Sequence, residues 1–283
     1  MTGIIDDNTI TFLICTQGAE SREALKRCVQ SIANTTNDFG PNWKTDIIIG
    51  TSDCGILPGP INDGSYTRIT YVNLAPETKL TTKKNKLVEA AKAKLNGKWT
   101  MILHDYYVLP KDFMYNFTKW ACVTNNQQYM IAQPRIVNDE GLRHSDWAVD
   151  PLILRRFLMD KPVLGQIHKG ISPNESPEYV CGLPYNHNTL RHIQYISGGF
   201  MLAKTHIFQS FPLNENLDWG QSEDLEWSRR IAGAQIPIGF VNLKNPVTAL
   251  KPNKWHMRQM PDSTITALEQ CFVARLPTGK NKY

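Results

Sequence analysis

Hydrophobic positions along the chain alternate between short unbroken runs and stripes at helical spacing. Residues 11–16 (TFLICT) are an apolar run of strand length that stops before Gly18, the pattern of a strand buried on both faces. Ser21 is suited to cap a helix, and Leu25, Cys28, Val29 and Ile32 then recur three and four residues apart. A polar stretch over 34–42 leads to a second run at 46–50 (DIIIG). Residues 51–55 and the Pro/Gly-rich 57–64 read as a long loop, and 68–74 as a third strand. Leu87, Ala90, Ala91 and Leu95 share one side of a helix predicted over 83–95. Asn96-Gly97 closes it, because glycine accepts the left-handed cap conformation. WTMIL, 99–103, is a fourth strand.

This order predicts an α/β fold with a mostly parallel central sheet and helices on its faces. Ligands of such sheets bind beyond the carboxyl ends of the strands. Three polar clusters fall there: Thr16-Gln17-Gly18, Thr51-Ser52-Asp53 and His104-Asp105-Tyr106. The middle, residues 138–192, is rich in Pro and Gly and lacks periodicity. It reads as long loops over a site, and it carries His144, Asp146, Trp147 and Asp150. Strand character returns over 195–203 around Gly198-Gly199, a helix is predicted over 223–232 and a late strand over 236–241.

Composition narrows the partners. A chain of 283 residues with 41% hydrophobic and 20% charged residues is globular. The formal charge of +5 comes without a dense basic stripe; Lys83-Lys84-Asn85-Lys86 is too short to argue for nucleic acid. The excess suits phosphorylated small molecules or an anionic membrane surface. The first ten residues carry acids where a signal peptide would be basic, and no apolar run approaches the ~18 residues a membrane span needs. Six scattered cysteines without a CxxC pair read as reduced thiols. The expected location is cytoplasmic, or peripheral at the inner face of a membrane.

The candidate chemistry lies in four places, each with a plain structural alternative. Asp105, where a hydrophobic strand ends, suits a Mg²⁺ or Mn²⁺ ion on a diphosphate, or a turn cap. Gly198 and Gly199 allow close backbone approach to sugar hydroxyls, or a bulge. Glu223 and Asp224 suit a general base, or simply a favourable helix start. Beside them Trp219-Gly220 offers a flat face for a sugar ring, or a packed corner. His256 suits a divalent ion, or an ordinary loop.

Taken in order, these segments resemble the GT-A glycosyltransferases, in particular the inverting family 2 group. TFLICTQG and DIIIGTSDCG look like the family's nucleotide-binding strands, and Lys84-Asn85-Lys86 like its basic-Asn helix. His104-Asp105-Tyr106 stands at the metal motif, Ser197-Gly198-Gly199 at the acceptor-side glycine strand, and Trp219-Gly220-Gln221-Ser222-Glu223-Asp224 at the base element. The resemblance implies a GT-A-like domain over 1–283, with a Rossmann-like nucleotide-sugar half at 10–110. An acceptor-binding and catalytic half at 111–260 and a C-terminal extension at 261–283 would follow. It implies a hexosyltransferase-like enzyme moving a sugar from a nucleotide-sugar to a glycan or lipid-linked glycan acceptor. Thr16, Asp53, Lys84, Asn85, Lys86, His104 and Asp105 would hold the nucleotide. Asp105 with His256 would hold Mn²⁺ or Mg²⁺. His144, Asp146, Trp147, Gly198, Gly199 and Trp219 would line the donor and acceptor sites. The base would be Asp224 or its neighbour Glu223.

Two departures stand out. The metal motif has one acid where the family usually has two, and the Trp-Gly element has one extra residue before its acids. The first leaves room for a catalytically weak carbohydrate-binding protein on the same fold. A sugar nucleotidyltransferase is the other rival, although residues 16–20 lack its Gly-rich phosphate loop. A retaining transferase shares the same sequence pattern.

Overall fold

Six consecutive buried residues put β1 (Ile10–Cys15) in the interior of a sheet. The structure is a computed structural model describing residues 10–16, 22–36, 45–52, 67–92, 98–134, 136–139, 148–149, 179–180, 183–184, 194–218, 221, 223–241 and 243–250. Parallel neighbours of β1 are β2 (Thr45–Thr51) and β4 (Trp99–His104), and β2 pairs in parallel with β3 (Thr67–Asn73). After β4 come the short β5 (Tyr107–Val108), β6 (Ile131–Pro134), β7 (Ile136–Asn138) and β8 (Ala148–Val149). They are followed by β9 (Tyr179–Val180), β10 (Leu183–Pro184), β11 (Gln194–Tyr195), β12 (Phe200–Lys204), β13 (Ile238–Val241) and β14 (Val247–Ala249). The main sheet runs β13-β6-β12-β4-β1-β2-β3. Only β12 opposes its neighbours; it is antiparallel to β4 and β6, while β13 and β6 are parallel. A second sheet, β5-β14-β7, starts directly after the end of β4.

Alternation along the strands divides the core into two layers. Phe12, Ile14, Ile47, Ile49, Met101 and Leu103 face Leu25, Val29 and Ile32 of α1 (Arg22–Thr36) and Phe113 and Phe117 of α3 (Phe113–Cys122). Leu13, Cys15, Ile48 and Ile102 face the other way, onto Leu87, Val88 and Ala91 of α2 (Leu80–Lys92). The same layer takes Ile207 and Phe208 of α4 (Thr205–Ser210), with Trp227 and Ile231 of α5 (Glu223–Gly233). Helices therefore cover both faces, as the sequence pattern predicts, and each fully buried Leu, Ile or Phe stabilises the layer by about 1.5–3 kcal/mol. No helix among the described residues is long and apolar enough to cross a membrane.

Three elements differ from expectation. The run at 195–203 is not one strand: β11 and β12 are separated by a turn at Gly198-Gly199, closed by Phe200 N–H donating to Ser197 O at 3.0 Å. The helix predicted from 83 begins at Leu80, because the Asp218 carboxylate accepts its N–H at 2.9 Å. A side chain far along the chain thus supplies the cap. The late strand starts at Ile238, after Gln235 takes a left-handed φ of 56°. Ser21 and Asn96-Gly97, read as caps, lie outside the described residues.

Candidate active site

The parallel strands deliver polar residues to one edge of the sheet. Cys15 is in register with Gly50 of β2 and His104 of β4, so Thr16, Thr51 and Asp105 emerge side by side. All three are buried, and Thr16 N–H donates to Gly50 O at 3.3 Å. His104 is also buried and meets the Tyr106 ring edge-on at 5.4 Å.

The Gly198-Gly199 turn joins this edge to α5. Gly199 O accepts the His104 N–H at 3.0 Å. On the other side Gly198 N–H donates to Asp224 Oδ2 at 2.8 Å, and Ile196 N–H donates to Ser228 Oγ at 2.9 Å. A Cβ at Gly198 would sit 2.9 Å from Glu223 Oε1, 3.0 Å from Lys84 Nζ and 3.1 Å from Asp224 Cβ. One at Gly199 would sit 2.8 Å from the hydroxyls of both Tyr106 and Tyr107. Only a residue without a side chain lets β12 approach both groups this closely. The Gly198 N–H expected to meet a sugar hydroxyl thus has an internal partner, which orients Asp224.

The first turn of α5 holds Glu223, Asp224 and Glu226 at a position where the helix dipole favours negative charge. Two of these acids have cations. Glu226 takes Arg230 at 2.6 and 2.9 Å, and Glu223 lies 3.5 Å from the ammonium of Lys84. Glu223 and Lys84 are both buried, and at that separation they form an ion pair rather than a short hydrogen bond. Burial, followed by the charge of Asp224, pushes the Glu223 carboxyl above its ordinary value, and Lys84 opposes the rise. Asp224 is only half-buried, and it is the acid of the three without a basic partner among the described residues. Its Oδ1 accepts the Leu225 N–H at 2.8 Å, so both oxygens are fixed.

Tyr106 reports that these groups share one neighbourhood. Burial pushes its phenol up to about 12, and the charges of Asp105, Asp224 and Glu223 all act in the same direction. It remains a protonated hydroxyl at neutral pH. Tyr106 belongs to the strand-end cluster that the sequence marks, whereas nothing in the sequence separates Tyr107 from a core aromatic, and it is buried against Phe200.

The remaining predicted residues divide four ways. Lys84, expected to hold the nucleotide, is enclosed beside Glu223. Lys86, on the far side of α2, is exposed. Asn85, also expected to hold the nucleotide, bonds its amide to the loop before α5: Nδ2 donates to Leu213 O and Glu215 Oε1, and Oδ1 accepts the Leu213 N–H, all at 2.9 Å. Asp53, His144, Asp146, Trp147, Trp219 and His256 lie outside the described residues. No group of three or more His, Cys, Asp or Glu side chains that could hold a metal ion occurs among the described residues. The buried Asp105 carboxylate by itself fits an ion such as Mg²⁺, which takes one or two carboxylates and draws its other ligands from substrate phosphates and water.

No family model matches the chain, and no curated protein does. Similar solved structures include S. aureus TarS 1–349 in complex with UDP-GlcNAc, with a TM-score of 0.54 and 9% identity, covering 93% of this chain and 65% of that one. The same protein in complex with UDP gives a TM-score of 0.50 and 9% identity over 86% of this chain and 60% of that one. This chain therefore spans less than two thirds of the chains it matches. At such identity the likeness establishes the fold alone, and that fold is α/β and GT-A-like, with a mostly parallel central sheet.

Proposed function

We propose that the protein is a glycosyltransferase that moves a sugar from a nucleotide-sugar to a hydroxyl of a glycan or lipid-linked glycan, with inversion. The observation that carries this reading is the glycine turn, which ties the strand end bearing Asp105 to the helix start bearing Asp224. A diphosphate laid along the edge formed by Thr16, Thr51 and Asp105 would bring the sugar it carries toward Asp224. A similar structure holds UDP-GlcNAc, which supports a nucleotide-sugar as the donor.

Asp224, oriented by Gly198 and Leu225, is the proposed base. It takes the proton of the acceptor hydroxyl as that oxygen attacks the anomeric carbon. Glu223, committed to Lys84, is the lesser candidate. The protonated Tyr106 hydroxyl can donate to substrate oxygens beside Asp105. Asp105 would hold a divalent ion, which when bound neutralises charge on the departing diphosphate.

The test is nucleotide release from UDP-, GDP-, CMP- and dTDP-sugars, followed for wild type and Asp224→Asn. The expected result is a loss of about 10²–10⁴-fold in turnover for the variant, with nucleotide affinity retained. An Asp224→Asn protein that turns over like wild type removes Asp224 from this role, and a wild type inactive on every donor removes the transferase.

A further inference from the structure

Lys84 is a fully buried basic residue of α2 for which the proposed reaction has no direct use. Its side chain is wholly enclosed, between the end of β1, the glycine turn and α5. An ammonium removed from water is tolerated only when an opposite charge compensates it, and its ion-pair partner among the described residues is Glu223. The groups around the pair are Asp224 on α5, Cys15 on β1, Lys83 on α2 and, beyond β4, Asp105 and Tyr106.

We propose that Lys84 is a positioning residue: its ammonium holds Glu223 beneath the Gly198 turn, and this pair sets the first turn of α5 so that Asp224 meets the acceptor hydroxyl. The inference rests on the transferase reading above. Adjacent carboxylates repel when both are ionised. With Glu223 drawn down onto Lys84 and Glu226 drawn along the helix onto Arg230, the turn carries three acids and yet leaves one for proton transfer. The pair also links α2 to α5 beside the glycine turn, at the place where a single added methyl group would touch both partners. A lysine so enclosed acts on the reaction through Glu223 and not through the diphosphate.

The experiment is a double-mutant cycle on Lys84→Met and Glu223→Gln, read by turnover of the preferred donor, by UDP affinity in calorimetry and by melting temperature. Each single variant is expected to lower kcat, by about 10²-fold where a displacement on the order of 1 Å results, with UDP affinity within about twofold of wild type. The double variant is expected to be no worse than the poorer single one, because removal of both charges leaves neither stranded. If Lys84→Met does not fold, Glu223→Gln still decides: wild-type kcat in that variant overturns the proposal. Additive losses in the cycle, or UDP binding weakened tenfold or more by Lys84→Met, also overturn it and return Lys84 to phosphate contact. Either result leaves the transferase standing if Asp224→Asn is inactive. A wild type inactive on every donor removes both readings together.

Discussion

Gly198→Ala is the smallest perturbation that addresses the whole site. The new Cβ would lie 3.1 Å from Asp224 Cβ and 2.9 Å from Glu223 Oε1, about 0.3–0.5 Å inside ordinary contact. Lys84 Nζ, at 3.0 Å, closes the remaining direction. None of the three can retreat freely: Glu223 and Lys84 are buried and paired, and Asp224 is held by two backbone N–H groups. Overpacking of this kind costs about 1–3 kcal/mol. Stretching the charged bond from Gly198 N–H adds part of the roughly 1.5–3 kcal/mol such bonds contribute. A total of about 3 kcal/mol corresponds to a fall in melting temperature of about 5 °C for a chain of this size. Turnover should fall further than stability requires, since the displaced group is the proposed base. Gly233→Ala is the internal control. Nothing lies within 4 Å of its added Cβ, and alanine near a helix end should leave stability unchanged or raise it by about 0.5–1 kcal/mol. Scanning fluorimetry and nucleotide release on the three proteins decide the matter. A Gly198→Ala protein that melts within about 1 °C of wild type and keeps its turnover refutes the close-packed arrangement.

Other outcomes follow from the same geometry. Because the folded state holds the Glu223 proton to higher pH than the unfolded chain, stability falls as pH climbs through the window that opens at the ordinary value of 4.5. Glu223→Gln removes this dependence, so its melting temperature relative to wild type should rise with pH across that window, and a flat difference contradicts the assignment. Asp105→Asn should weaken UDP binding in calorimetry and abolish any enhancement by Mn²⁺; an enhancement equal to that of wild type would place the ion elsewhere. Burial raises the Cys15 thiol to about 11, so iodoacetamide at pH 7.5 should leave Cys15 unmodified in the folded protein and alkylate it in urea. Rapid labelling of the native thiol, read by mass spectrometry, would count against its enclosure.

The parts legible in the sequence are those whose environment is set locally. Strands β1, β2 and β4 are buried on both faces, so they appear as unbroken apolar runs. Helices α1 and α5 each carry an inward stripe. α3, by contrast, keeps Phe113, Phe117 and Ala121 on one inward face, but the exposed Tyr115 and half-buried Trp120 blur its polar side. The features of the site that the sequence pattern does not reveal share one physical origin, which is a partner far away in sequence. Asn85 and the start of α2 are decided by the loop at 213–218. Lys84 is decided by Glu223, and the glycine turn by Tyr106, Tyr107 and Asp224. Residue type and spacing brought Asp105, Gly198, Gly199 and Asp224 to attention. They do not assign a cation to one acid and leave its half-buried neighbour without one.

The placement of β12 has a consequence for synthesis on the ribosome. Every residue of β4 is buried, and its outer edge is covered by a strand that begins only at Phe200. Until that distant segment has emerged, the nascent chain presents a hydrophobic edge of unpaired amide and carbonyl groups, the type of surface that recruits other strands. Growth of the polypeptide through this interval is therefore the stage at which chaperone protection counts most, and the point at which premature termination would yield aggregates instead of a folded fragment.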